Sequence, residues 1–245
     1  MKPDEQSAAF RDVVAWTEGD ACEQLRPLRL RAEPSDETCA RRVTGEGARA
    51  MMAQRRSWIS EEQGLCVRYA RVQSLVADVA TVMIYPVWDV ARLPVLAAEW
   101  VVIGDRCHVA VLDVEAVAGG SLLQELRQAF GPESKNEWPA RFDCSPEVPA
   151  WFAAIASDWA VFTSVPSERL GELRAAFGWY LETCTRAFYL PRVSARADKP
   201  EHSTVLAYKR HHQTHFPGRQ MLVARFGTVW AERFLECHFG PARLG

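Results

Sequence analysis

The segment from Val79 to Val117, VATVMIYPVWDVARLPVLAAEWVVIGDRCHVAVLDVEAV, limits the possible folds more than any other part of the chain. It holds three runs rich in Val, Ile, Trp and Tyr, at Val79–Tyr85, Val95–Ile103 and His108–Val114. Pro86, Asp89 and Pro94 separate the first two, and Gly104-Asp105 separates the last two. Branched and aromatic runs cut by turn residues predict adjacent strands of an antiparallel sheet. Glu99 sits inside VLAAEWVVI, where the pattern predicts a strand covered on both faces or nearly so. A carboxylate there must find a partner, take up a proton or face a polar ligand. Two readings stay open: a buried carboxylate paired with an Arg such as Arg68 or Arg71 on a neighbouring strand, and a functional acid. Asp78 and Asp113, at strand ends, read as turn or edge groups, and Trp88-Asp89 as a structural turn.

Around this block the signals are weaker. Residues 1–20 carry a helical pattern in Phe10, Val13, Val14 and Trp16, and Cys22–Gly47 reads as loop with at most a short helix. Ala48–Arg56 is compatible with a helix that gives way to a strand at Trp58–Ile59. Gly64 then precedes two strand-like runs, Leu65–Val72 and Leu75–Tyr85. Ser121–Phe130 is a helix stopped by Gly131-Pro132, followed by a loop over Lys135–Glu147. Trp151–Ser157 reads as a helical turn, Trp159–Thr163 as a strand, and Ser167 opens a helix to about Ala187. Leu190–His202 reads as loop. Gly227 stops a helix from about Gly218, and Thr228 caps another to about Phe239, in which Trp230, Phe234 and His238 recur every four residues. Strands early and helices late predict one α+β domain over residues 1–245, an antiparallel sheet with helices packed on it.

Composition removes several function classes. A formal net charge of −2, with no strongly basic half, argues against nucleic acid as a partner. Seven cysteines, scattered singly without a C-x-x-C, read as reduced thiols rather than a disulfide frame or zinc cage. No apolar run reaches the ~18 residues of a membrane span. No basic start followed by an apolar core opens the chain, so a cytoplasmic protein is expected. G-x-G-x-x-G after a strand, G-x-x-x-x-G-K-[ST], G-x-S-x-G and H-E-x-x-H are all absent, leaving nucleotide cofactors and a nucleophile elbow unsupported. His211, His212 and His215 form H-H-x-x-H, a spacing that can bind zinc. With no acidic or cysteine partner nearby and Pro217-Gly218 following, a solvated polar segment is the default reading.

Three stretches add a family resemblance. VMIYP (82–86), LPVLAAEWVV (93–102) and HVAVLDVE (108–115) form the first; VPAWFAAIASDWAVF (148–162) is the second; RQMLVARFGTVWAERFLECHFG (219–240) is the third and most specific. In order and spacing they resemble the ferredoxin-dependent bilin reductases and, more remotely, red chlorophyll catabolite reductase. The resemblance implies a three-layer α/β/α sandwich whose central antiparallel sheet has about seven strands, with the bilin between the sheet and the C-terminal helices. It implies no bound cofactor, reduced ferredoxin as electron donor, and reduction of a CH–CH bond of biliverdin IXα or a close bilin through a radical, as in phycobilin biosynthesis. A monomer with no membrane or nucleic-acid partner is expected.

The resemblance places Glu99 where the family has its central sheet aspartate, as the principal proton donor. Thr81 falls where members carry His or Asn, and Tyr69 near the place of a hairpin glutamate. His215-Phe216-Pro217-Gly218 stands where many members read Asn-Asp, which makes His215 the replacement donor. Met83, Val101, Phe216 and Arg219 complete the expected bilin contacts, with Arg side chains at the pocket mouth for the propionates. Two rivals remain: a reductase of a chlorophyll-derived bilin, and a non-catalytic tetrapyrrole-binding protein.

Overall fold

A computed structural model describes residues 17–34, 39–44, 50–87, 93–117, 120–142, 147–190, 203–216 and 218–240. The helical pattern at Phe10, Val13, Val14 and Trp16, the Trp88-Asp89 turn, Pro217 and the polar stretch 191–202 lie outside the described residues.

The sheet has eight strands. β1 (Arg31–Ala32) and β2 (Ala40–Val43) pair with different halves of β3 (Met51–Ser60). From there β4 (Leu65–Ser74), β5 (Ala77–Pro86), β6 (Val95–Ile103) and β7 (Arg106–Glu115) continue as an antiparallel meander, and β8 (Val161–Pro166) returns to pair with β7. The turns suit such a meander. Ser74 Oγ accepts the Ala77 amide across the β4–β5 turn, and Gly104 takes a left-handed φ of 61° between β6 and β7.

The described part of the stretch compatible with a helix, Ala48–Arg56, is instead strand from Met51 on. Ten residues of β3 pair with β4, from Met51 opposite Ser74 to Ser60 opposite Leu65. Ala53, Arg55, Ser57 and Ile59 alternate into the interior, and this long ladder outweighs the helix propensity of Ala, Met, Gln and Arg.

Helices cover both faces. Residues 17–24 form α1, and the β7–β8 connection carries α2 (Ser121–Phe130), α3 (Trp138–Arg141) and α4 (Ala150–Ala153). After β8 come α5 (Leu170–Cys184), extended by a wider turn over Thr185–Tyr189, then α6 (Ser203–His215), α7 (Arg219–Phe226) and α8 (Thr228–Phe239). On one face α1, α2 and α5 pack against Val82, Ile84, Leu96, Trp100 and Leu112. Leu173, Ala176, Phe177, Tyr180, Leu181 and Cys184 recur at helical spacing along α5, and Phe177 meets the Trp100 ring edge-on at 6.0 Å. Each large apolar side chain so buried contributes about 1.5–3 kcal/mol.

On the other face α6, α7 and α8 cover Ala70, Val72, Met83 and Tyr85 with Val205, Tyr208, Leu222, Phe226, Phe234 and Phe239. Gly227, at a φ of 83°, separates α7 from α8. The polar look of STVLAYKRHHQTH hid the extent of α6, whose histidines read in the sequence as a solvated polar segment. Val205, Tyr208 and the fully buried Lys209 pack it inward, the ammonium 3.7 Å from the centroid of the Tyr85 ring. The whole is an α/β/α sandwich. No helix among the described residues is long and apolar enough to cross a membrane.

Because side chains alternate along a strand, β5 and β6 serve two environments. Val79, Thr81, Met83, Ala97, Glu99 and Val101 look toward α6–α8, while Ala80, Val82, Ile84, Trp100 and Val102 enter the α5-side core.

Candidate functional site

Between the sheet and the α6–α8 layer lies a cavity of about 380 Å³. Its floor is Val79, Thr81 and Met83 of β5, Ala97, Glu99 and Val101 of β6, and Val109 and Val111 of β7. His212, Phe216, Met221 and Phe239 close it from the helices, and Trp151, Phe152 and Phe162 form a side wall. Such a space, apolar with a few polar groups, has the size and character of a small-molecule site.

Glu99 stands in the middle of the floor, opposite Thr81 on β5 and Val111 on β7. Its half-buried carboxyl makes no hydrogen bond or ion pair with any described residue. Burial alone pushes it up from 4.5 to about 7. Neither Arg considered as a partner reaches it. Arg71 points to the opposite face, where Nε donates to Asp78 Oδ1 at 2.9 Å and Nη2 donates to Oδ2. Arg68 shares the Glu99 face, but its Nη2 lies 3.8 Å from Glu33 Oε2. Asp78 is therefore a buried ion-pair member rather than a turn group, and burial outweighs the guanidinium enough to hold its carboxyl above the ordinary range.

Five of the eight predicted site residues meet here: Glu99, Thr81, Met83, Val101 and Phe216. Three do not. Tyr69 is buried on the opposite face beside Ala21, Leu25 and Val82, because β4 presents even-numbered residues to the cavity side. His215 lies outside the lining: its exposed ring stacks parallel to Trp151 at 6.3 Å, and Nδ1 is 2.9 Å from the His211 carbonyl oxygen. Arg219 is held outside by Glu232, at 2.9 Å from Nε and 2.7 Å from Nη2. Among the described residues no Arg or Lys lines the cavity, so the expected cationic mouth is not formed by them.

The histidine that does enter is His212. One turn beyond Tyr208 and four residues before Phe216, it lies on the side of α6 that faces inward, a 4-residue spacing visible in the sequence but overshadowed there by the zinc-like H-H-x-x-H. Its Nε2 is buried with no hydrogen-bond partner among the described residues. Burial, followed by the neighbouring His211 and His215, lowers the ring to about 4, so it is neutral near neutrality. The trio does not converge as a metal site: His211 Nε2 lies 2.7 Å from the Trp151 carbonyl oxygen, and the rings brace Trp151 instead. No group of three metal-capable side chains occurs among the described residues.

Sequence reasoning also missed a carboxyl pair at the end of β7. Asp113, expected at a strand edge, is buried within the strand. It accepts the Ser157 amide at 3.1 Å, the Val114 amide at 2.8 Å and the Ser157 hydroxyl. Burial, and after it the Asp113 carboxylate, push Glu115 well above the ordinary carboxylate range, so the pair keeps a proton where ordinary carboxyls have lost theirs.

The family described as ferredoxin-dependent bilin reductase matches residues 22–238. The chain belongs to this family. A bilin reductase of this kind is an oxidoreductase that takes electrons from ferredoxin to reduce a bilin. The fold is similar to that of phytochromobilin synthase from tomato, solved in complex with biliverdin. The TM-score is 0.63 at 10% identity, covering 93% of this chain and 82% of that one. A search of curated proteins finds no match.

Proposed function

We propose that this bilin reductase acts on biliverdin IXα, or a close open-chain tetrapyrrole, with Glu99 as the proton donor. The observation that carries the reading is a single acid in the floor of an apolar cavity, unneutralised by any described cation and held near 7 by burial. An acid poised near the working pH can both hold a proton and give it up, a role worth about 10²–10⁴ in rate.

In this reading ferredoxin delivers one electron to the bound bilin, which becomes more basic. The Glu99 O–H bond breaks, its proton joins the tetrapyrrole, and a neutral radical results. A second electron and a second proton complete the reduction of one double bond, and the Glu99 carboxylate is reloaded from solvent. Thr81, beside Glu99 across the β5–β6 ladder, offers a hydroxyl to a ring nitrogen or carbonyl. Met83, Val101 and Phe216 pack against the rings and exclude water, which keeps the Glu99 proton directed to the substrate. The chain works as one domain and as a monomer.

Anaerobic incubation with biliverdin IXα and a reduced ferredoxin system, followed by chromatography, tests the proposal. A reduced bilin is expected. Recovery of unchanged biliverdin under conditions where ferredoxin stays reduced would remove the reading.

A further inference from the structure

Few lining side chains of the cavity carry polar atoms, and they occupy opposing walls. Glu99 and Thr81 are cross-strand neighbours on the sheet, whereas His212 comes from the helical layer. The imidazole is oriented by aromatic contacts on several sides. Tyr208 lies 4.6 Å away centroid to centroid, Trp151 meets it edge-on at 6.1 Å, and Phe239 stacks at 6.3 Å with 10° between planes. The half-buried ring sits among these aromatics, and its Nε2 is buried with no hydrogen-bond partner among the described residues. Leaving a buried polar atom unmet is destabilising, so its retention at a cavity wall is accounted for by a ligand that supplies the missing group.

Resting on the reading of this cavity as a bilin site, we infer that His212 is a substrate-anchoring residue: its Nε2–H donates to a terminal lactam carbonyl of the tetrapyrrole. The hydrogen bond fixes the ligand from the helical side and thereby decides which carbon lies over the Glu99 carboxyl. A neutral imidazole suits this donor role, since it brings no charge into an apolar space. His211 and His215, one facing the Trp151 carbonyl and the other stacked outside, hold the wall that carries His212 rather than contacting the ligand.

The test compares His212→Phe, which keeps the aromatic contacts and removes the donor, with His212→Gln, which keeps an N–H. Biliverdin titration followed by visible absorption should show about tenfold weaker binding for His212→Phe. The lactam carbonyl stretch of the bound bilin should move to higher frequency in the infrared, and His212→Gln should restore most of both. Turnover by His212→Phe should yield more than one reduced isomer. Equal affinity together with an unchanged carbonyl band in His212→Phe would overturn the inference while leaving the bilin site standing. Failure of the unaltered protein to bind biliverdin at all would instead overturn the bilin reading. If His212→Phe does not fold, nitrogen resonances of ¹⁵N-histidine-labelled protein, assigned with His212→Gln, decide the matter. A shift of the His212 Nε2 signal on adding biliverdin supports the contact, and an unmoved signal refutes it.

Discussion

Replacing Glu99 by Gln should stabilise the ligand-free protein at alkaline pH, contrary to the usual effect of altering an active-site group. The carboxyl is moved from its ordinary 4.5 to about 7 by burial, with no described cation to offset the cost of charging it. A group whose folded-state pKa is raised supports folding fully below its unfolded value and loses that support as pH rises through the folded value. At 1.36 kcal/mol per pH unit, the charged Glu99 costs the folded state about 3 kcal/mol at pH 8 relative to pH 4. Glu99→Gln keeps the shape and cannot ionise, so it escapes this cost. Urea unfolding of both proteins at pH 5 and pH 8 should give similar midpoints at the lower pH and a more stable variant at the higher. With biliverdin and reduced ferredoxin the same variant should stall at a bilin radical visible by electron paramagnetic resonance. A Gln variant destabilised equally at both pH values would mean that Glu99 is held as a paired carboxylate. Full turnover by that variant would exclude it as the donor.

Tyr69→Phe should leave biliverdin affinity unchanged, because that hydroxyl lies on the far face of the sheet; a clear loss in a visible titration would contradict the placement. Val101→Trp should project an indole from the cavity floor beside Glu99 and weaken the bilin-induced spectral change while circular dichroism stays that of the parent; an unchanged titration would contradict the placement of Val101. Asp78→Ala strands the Arg71 guanidinium beside the core and should cost about 3 kcal/mol by urea denaturation, with less than about 1 kcal/mol showing that the pair is already solvated. Glu115→Gln should flatten the pH dependence of stability above the ordinary carboxylate range. There the folded pair keeps a proton that the unfolded chain releases, so the parent loses stability as pH rises, and a variant with the parent's slope would place the proton elsewhere.

The strands that build the floor were legible because both their composition and their turns agree. Val95–Ile103 has the bounds expected from its branched run, and its neighbours extend by only one to two residues at either end. Glu99 was legible for a simple reason: a lone charge in an apolar strand has few explanations. What escaped depended on contacts distant in sequence. β3 is strand because ten residues pair with β4, information absent from Ala48–Arg56 itself. α6 buries Lys209 and turns His212 inward, so a hydrophobicity pattern reads it as solvated. Tyr69 was misplaced through parity, since one step along a strand exchanges the two faces. Asp113 and Glu115 share a face two residues apart, but only Ser157, 44 positions from Asp113, completes the buried cluster.

The two-sidedness of β5 and β6 bears on how such a protein can diverge. Side chains at Ala97, Val101 and Val111 meet the cavity, while Trp100 and Leu112 anchor the helices behind it. Substitutions on the first set can reshape the ligand envelope with little energetic crosstalk to the second, as expected for groups without shared partners. A one-residue insertion within β6 would do the opposite, carrying the Trp100 indole into the cavity and the Glu99 carboxyl into the core. Descendants of this sheet should therefore vary freely in residue identity on the cavity face yet conserve strand length, with gains and losses of residues confined to turns such as Leu75-Val76 and Gly104-Asp105.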